Sequence, residues 1–148
     1  MKKAYIVIRD RHFDGSEDEP GDYGELKTNC LIGREGSSVV IRYKEITDGE
    51  GDCVCMLSIS GKKVTLVRNG IYCITVIFEA GQRNTCVYHT PYGEIYIGVY
   101  TNAMFIDMTE DGGCINIAYT LDNSGDFVSE NELKISVEVR ESDNVSIS

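Results

Sequence analysis

Apolar and polar residues alternate along most of this chain with a period of two residues. The alternation is unbroken over residues 133–140, and it recurs over 115–121 and 39–44. A period of two is typical of β-strands that bury one face, whereas an amphipathic helix repeats about every 3.6 residues. The pattern predicts an all-β protein of about ten strands. The candidate strands are residues 4–9, 26–34, 39–44, 53–60, 63–68, 71–78, 86–90, 94–100, 103–109, 115–121 and 133–140.

Turn-forming residues separate these candidate strands at short and regular intervals. The pair Asn69-Gly70 is the clearest signal, because both residues tolerate the positive φ of a type I′ hairpin turn. Consecutive hairpins need no crossover connection, so they favour a single antiparallel up-and-down barrel over a sandwich. Other clusters rich in Gly, Asn, Asp or Ser occur at 33–37, 48–52, 80–84, 111–113 and 123–126.

The segment Thr90-Pro91-Tyr92-Gly93 predicts a further hairpin corner. Proline restricts the preceding Thr90 to extended conformations and suits the second position of a type I turn. Gly93 is then free to adopt the positive φ that completes a three-residue loop. Thr90, Pro91 and Gly93, together with Gly70, are therefore predicted to be structural residues.

The same corner carries a resemblance to a known family. With the preceding tyrosine it reads Y-x-T-P-Y-G, which resembles a signature of the YwiB-like family of small bacterial proteins. Further matches lie at Tyr43 with Glu45, Arg68 with Gly70, Thr101, and Tyr119 with Leu121. The resemblance covers about residues 26–139 and implies a calycin-like (lipocalin-like) β-barrel. It implies no catalytic residues, because the family has no established biochemical function.

Length and charge limit the number of domains and the kinds of partner that the sequence allows. A chain of 148 residues is expected to form one domain, residues 1–148, with the acidic loop 14–25 and the tail 141–148 expected to be mobile. The net charge of −10 argues against nucleic acid or an anionic membrane as a partner, because both would repel the protein. The oligomeric state stays open between monomer and homodimer.

The N-terminus and the cysteines indicate a compartment. The apolar run over residues 4–8 is too short for a signal peptide, and no other run approaches a membrane span. A cytoplasmic location is therefore expected, with the six cysteines as thiols. No paired cysteine knuckle or EF-hand pattern occurs, so neither a metal nor another cofactor is predicted.

Arg68 is the first candidate for a binding residue. It shares strand parity with Val64 and Leu66, which places a guanidinium on an otherwise apolar face. One interpretation is an anchor for a carboxylate or phosphate inside the barrel, because the guanidinium binds such groups through two parallel hydrogen bonds. The alternative is that Arg68 reaches solvent or pairs with a structural carboxylate such as Glu45.

Tyrosines are the second set of candidates, since nine of them occur in a chain without tryptophan. Their rings can line a pocket while their hydroxyl groups contact a ligand, although cross-strand pairing of aromatic residues is the alternative explanation. The predicted ligand-binding residues are Arg68, Tyr43, Glu45, Tyr88, Tyr92 and Tyr119.

Three classes of function remain open. The first is a non-enzymatic barrel that binds a small amphiphilic or anionic ligand in its interior. The second is a protein–protein interaction module whose interior is filled by side chains. An enzyme is the third and least favoured, because no nucleophile with an activating partner can be named.

Overall fold

The computed structural model describes residues 1–13, 22–47 and 51–140, and these residues form ten β-strands and no helix. The all-β prediction is confirmed. The strands are β1 (Lys2–Phe13), β2 (Asp22–Glu35), β3 (Ser38–Thr47), β4 (Gly51–Ser60), β5 (Lys63–Asn69), β6 (Cys73–Glu79), β7 (Arg83–Thr90), β8 (Gly93–Thr109), β9 (Gly112–Asn123) and β10 (Asp126–Val139).

The strands close into one barrel. Each strand pairs antiparallel with its neighbours in sequence, and β1 pairs with β10 from Ala4–Val139 to Phe13–Glu130 to complete the ring. This is the predicted up-and-down barrel. The described residues contain no helix long and apolar enough to cross a membrane.

One long strand replaces two predicted ones. The candidate strands 94–100 and 103–109 are both part of β8, and its register with β9 shifts between Thr101 and Ala103. Asn102 is the extra residue of this β-bulge, and its side chain donates a hydrogen bond to Thr120 Oγ1 at 2.9 Å. The bulge keeps the ladder continuous where the sequence pattern is interrupted.

The prediction of a type I′ hairpin turn at Asn69-Gly70 is wrong. Arg68–Ile74 is the last pair between β5 and β6, and Gly70 does not have a positive φ. The connection is therefore longer than a two-residue hairpin. In this connection Tyr72 stacks on Tyr88 with ring centroids 5.8 Å apart, and a Cβ added to Gly70 would lie 3.4 Å from Cys53 of β4.

The Thr90–Gly93 corner is a two-residue turn and not the predicted three-residue loop, because Thr90 and Gly93 pair with each other. Gly93 does adopt a positive φ, of 132°. The Thr90 hydroxyl accepts a hydrogen bond from the Tyr92 amide at 3.1 Å and donates one to the Gly93 carbonyl at 2.8 Å. These two hydrogen bonds give the Tyr92 amide and the Gly93 carbonyl a partner within the two-residue turn.

The predicted acidic loop 14–25 is shorter than expected. Strand β2 begins at Asp22, so the loop's last four positions belong to the sheet. Glu25 is held there by pairing with Arg9, whose Nε lies 2.7 Å from a Glu25 carboxylate oxygen. The remainder of the loop, residues 14–21, and the predicted mobile tail 141–148 lie outside the described residues.

The interior of the barrel has two unlike halves. Inward residues near the β2–β3, β4–β5 and β8–β9 turns are fully buried and pack against one another, among them Ile6, Ile32, Ile41 and Ile115. Inward residues near the opposite end, where β1 ends and β2 begins, surround open space. One end is thus a packed plug, and we call the other end the mouth.

Candidate functional site

The mouth half of the barrel encloses a cavity of about 530 Å³. This volume lies within the range of small-molecule pockets, about 300–1,000 Å³. Most of its wall is aliphatic or aromatic, because the inward positions of the strands that surround it are apolar. The apolar lining consists of Ile8, Leu26, Leu57, Leu66, Ile74, Val76, Phe78, Ile97, Val99, Leu121, Leu133 and Ile135.

Arg68 lies in this lining together with Leu66, which has the same strand parity, and it pairs with Glu45. The Arg68 Nη2 atom donates a hydrogen bond to Glu45 Oε2 at 2.7 Å, across β4 from β5 to β3. Their side chains are 35% and 30% exposed, so both charges reach the water of the mouth. Burial opposes the charge on Arg68, but Glu45 and the nearby sulfurs outweigh it and raise the pKa of the guanidinium.

Tyr43 and two cysteines lie beside this ion pair. Tyr43 is only 6% exposed, and its pKa is raised, first by burial and then by the neighbouring Cys55. Cys53 and Cys55 project from the same face of β4, with their sulfur atoms 3.9 Å apart. Burial and Cys53 raise the pKa of Cys55 to about 11. The phenol and the Cys55 thiol are therefore neutral near pH 7.

A second polar cluster, which the sequence analysis missed, lies on β1 and β10. Asp10 and His12 line the cavity, and His12 Nε2 lies 3.5 Å from an Asp10 carboxylate oxygen. The other ring nitrogen, Nδ1, contacts Oδ1 of Asn131, which is 2% exposed. Parity could have revealed all three residues, because Asp10 and His12 continue the inward series of Ile8, and Asn131 continues that of β10.

Two of the remaining predicted tyrosines line the cavity and one does not. Tyr119 packs against Phe78 with ring centroids 5.0 Å apart, and burial and Asp10 raise its pKa to about 12. Tyr88 lines the cavity and stacks on Tyr72. Tyr92 lies on the two-residue turn with 94% of its surface exposed, so the structure does not bring it to the other candidates.

The predicted structural residues lie at the mouth end, outside the cavity lining. Thr90, Pro91 and Gly93 form the β7–β8 turn, and Gly70 lies in the β5–β6 connection. In an up-and-down barrel these two turns lie at the same end as the β1–β2 and β9–β10 connections. They shape the rim of the mouth.

The cavity lining also contains a thiol and an imidazole. Cys86 lines the cavity, but burial raises the pKa of its thiol, so it is a poor nucleophile near neutral pH. Both ring nitrogens of His12 already contact side chains. Among the described residues, no group of three or more His, Cys, Asp or Glu side chains is placed to hold a metal ion.

The fold and the cavity define a ten-stranded antiparallel barrel with an apolar interior and a polar mouth. The chain belongs to the family described as domain of unknown function DUF1934, whose model matches residues 6–135. Its structure is similar to the crystal structure of the ywiB protein from Bacillus subtilis, with a TM-score of 0.82, 19% sequence identity, and coverage of 94% of this chain and 92% of that one. The predicted YwiB-like resemblance is confirmed. No curated protein matches the chain.

Proposed function

We propose that the protein is a non-enzymatic binding protein that holds one small amphiphilic or anionic molecule in the barrel. The observation that carries this proposal is the cavity of about 530 Å³, apolar in its depth and polar at its mouth. An apolar chain or ring system would displace water from the aliphatic wall, which favours binding through the hydrophobic effect. The head group would remain at the mouth, where polar side chains and solvent can contact it.

Arg68 is the cation of the mouth best placed to contact an anionic head group. A guanidinium has five N–H donors, and the bond to Glu45 uses one of them at Nη2. A carboxylate or phosphate can therefore bind Arg68 beside Glu45 or in its place. Competition from Glu45 limits the affinity for an anion, so an uncharged polar head group is compatible with the same site.

The open cavity also bears on the alternative of an interaction module with a filled interior. Side chains fill the plug end, where Ile6, Ile32 and Ile115 are fully buried, but the mouth half retains the volume of a small ligand. A barrel that served only as a scaffold would gain stability by filling this space. We therefore favour the binding function.

The test is to block the cavity. Val76 lines it and Thr75, its neighbour on β6, is exposed. Val76→Trp should reduce the fluorescence enhancement of 1-anilinonaphthalene-8-sulfonate, a small anionic amphiphile, whereas Thr75→Trp should leave it unchanged. Circular dichroism would verify that both variants fold. Equal enhancement with both variants, or none with the wild type, would contradict the proposal, and native mass spectrometry of the purified protein would show any retained ligand.

A further inference from the structure

A second concave surface lies on the outer side of the barrel wall and borders the cavity at Tyr43, which lines both. It has a volume of about 770 Å³ and is lined by residues of β1 to β4 and by Arg140 after β10, and the buried side chains of Ala4, Cys30 and Tyr43 form part of its wall. Its cations are Lys3, Arg42, Lys44 and Arg140, and its exposed apolar residues are Leu31 and Val54. We call this surface the basic groove.

Most of the positive charge in the basic groove has no acidic partner. Arg42 pairs with Glu35 at 3.2 Å, but within the described residues no ion pair involves Lys3, Lys44 or Arg140. The Arg140 guanidinium lies 4.7 Å from the centre of the Tyr5 ring, which holds it over the outer face of β1. Within the part of the chain that the structure describes, three cations without an acidic partner thus lie close together in a protein of net charge −10.

The groove also lies where the barrel wall loses its hydrogen bonds. The ladder between β2 and β3 runs from Glu35–Ser38 to Cys30–Tyr43 and stops there. Asn29 and Lys44 come next on the two strands, and no pairing joins them across the seam. An extended peptide commonly binds at such an unpaired strand edge by adding main-chain hydrogen bonds.

We propose that the basic groove is a docking site for a short acidic segment of a partner protein. Carboxylates of the segment would pair with Lys3, Lys44 and Arg140, and apolar side chains of the segment would cover Leu31 and Val54. A small inorganic anion would use one or two cations and leave the apolar residues exposed to water. An extended segment with alternating acidic and apolar side chains uses both features.

The negative charge of the whole molecule favours a short acidic segment over nucleic acid as the occupant of the basic groove. Charges beyond about 8 Å are largely screened at physiological ionic strength, so a short acidic segment responds mainly to the groove. A long polyanion would extend over the acidic remainder of the surface and be repelled. The proposal does not depend on the function of the cavity, because none of the groove's cations lines the cavity.

Fluorescence anisotropy with a labelled Glu-Leu-Glu-Leu-Glu-Leu amide peptide tests the proposal. The double variant Lys3→Glu with Lys44→Glu should weaken binding at least about tenfold. The double variant Lys62→Glu with Lys63→Glu is the matched control, because it changes the net charge equally at the exposed β4–β5 turn. It should change the affinity less than about threefold, since it acts only through the overall charge.

Three further measurements complete the test. The double variant Lys3→Gln with Lys44→Gln removes both positive charges without adding negative ones. It should also weaken binding, which distinguishes the loss of the lysine contacts from repulsion by introduced glutamates. The peptide with Gln in place of Glu should bind at least about tenfold more weakly. Equal losses in the two Glu double variants would overturn the proposal. So would displacement of the peptide by inorganic phosphate or by a single-stranded oligonucleotide at the same concentration as unlabelled peptide.

Discussion

The ion pair between Arg68 and Glu45 controls the charge that the mouth of the cavity presents to a ligand. Both side chains reach into the mouth, and their 2.7 Å hydrogen bond leaves the pair neutral as a unit. A partly exposed pair of this kind adds little to stability, because water screens it. Its main effect is on selectivity, since changing either residue to a neutral one shifts the net charge of the mouth by one unit.

The first prediction concerns this pair. Glu45→Gln should strengthen the binding of an anionic amphiphile such as dodecyl sulfate below its micellar concentration, because Arg68 no longer has a competing carboxylate. Arg68→Leu should abolish that binding, and Arg68→Lys should weaken it, since an ammonium group lacks the two-pronged contact. Isothermal titration calorimetry gives the affinities. If Glu45→Gln and Arg68→Leu shift the affinity in the same direction, the pair does not select the head group.

The second prediction concerns Gly93, whose φ of 132° is accessible to glycine but strained for any other residue. Gly93→Val should lower the free energy of unfolding by about 1 kcal/mol or more. The cause is backbone strain alone, because nothing lies within 4 Å of a Cβ at this position. Urea denaturation measures the loss, with Tyr92→Val on the same turn as the control. Equal midpoints for the two variants would show that the turn is not strained.

Strand parity explains which single residues the sequence could place. Val64, Leu66 and Arg68 alternate, so a face shared by the three could be predicted from β5 alone. The sequence left open whether this face is the interior. It offered Glu45 as one possible partner but could not fix the pair, because Glu45 is two strands away and the pairing depends on the register of β3, β4 and β5. Asp10 and Asn131 were missed although parity directs them inward, because a polar residue at the end of an apolar series is usually attributed to solvent.

At the scale of the elements, an ion pair joins β7, β8 and β9 on the outside of the barrel. Arg83 of β7 binds Asp122 of β9 through two hydrogen bonds, of 2.9 and 2.6 Å. The pair passes over Gly98 of β8, where an added Cβ would lie 2.2 Å from Arg83 Nη2. Gly98 therefore separates Tyr96 and Tyr100, both exposed, so that an ion pair can cross between them.

The third prediction follows from this bridge. Hydrogen bonds from Arg83 and from the Gly125 amide lower the pKa of Asp122 to about 2. Because the folded-state pKa is depressed, the stabilisation is present above the unfolded pKa of about 4 and disappears as the pH falls towards 2. Carboxyl NMR titration of the wild type should show the low pKa, and Arg83→Gln should raise it towards the ordinary value. An unchanged pKa in that variant would mean that Arg83 is not the cause.

The elements themselves were largely predictable, because alternation with a period of two marks a strand wherever one face is buried. The exceptions have local causes that alternation does not record. The bulge at Asn102 joins two predicted strands into β8, since an extra residue breaks the pattern without breaking the strand. The connection after Asn69-Gly70 carries the stacking of Tyr72 on Tyr88 of β7, which the dipeptide signal does not record.

At the scale of the whole molecule, the barrel has two seams where neighbouring strands are only partly paired. The β2–β3 ladder ends at Cys30–Tyr43, and the described β6–β7 ladder consists of Cys73–His89 and Ile74–Tyr88 alone. By contrast, β9 and β10 pair along most of their length. Sequence could not predict the seams or the cavity, because both depend on the curvature of the closed sheet and on the summed volume of its inward side chains.

The last prediction is that the seams open more readily than the rest of the barrel. Residues 84–87 of β7 pair with β8 on one side, but no ladder joins them to β6 on the other, whereas residues 115–118 of β9 pair on both sides. A backbone amide without a ladder partner exchanges its hydrogen through small local openings, whereas a doubly paired segment must lose many bonds at once.

NMR hydrogen exchange should therefore show amides of β7 that face β6 exchanging at least about tenfold faster than those of residues 115–118. Amides of β7 that face β8 are the internal control and should exchange slowly. Equal protection on both sides of β7 would show that the seam is closed in solution.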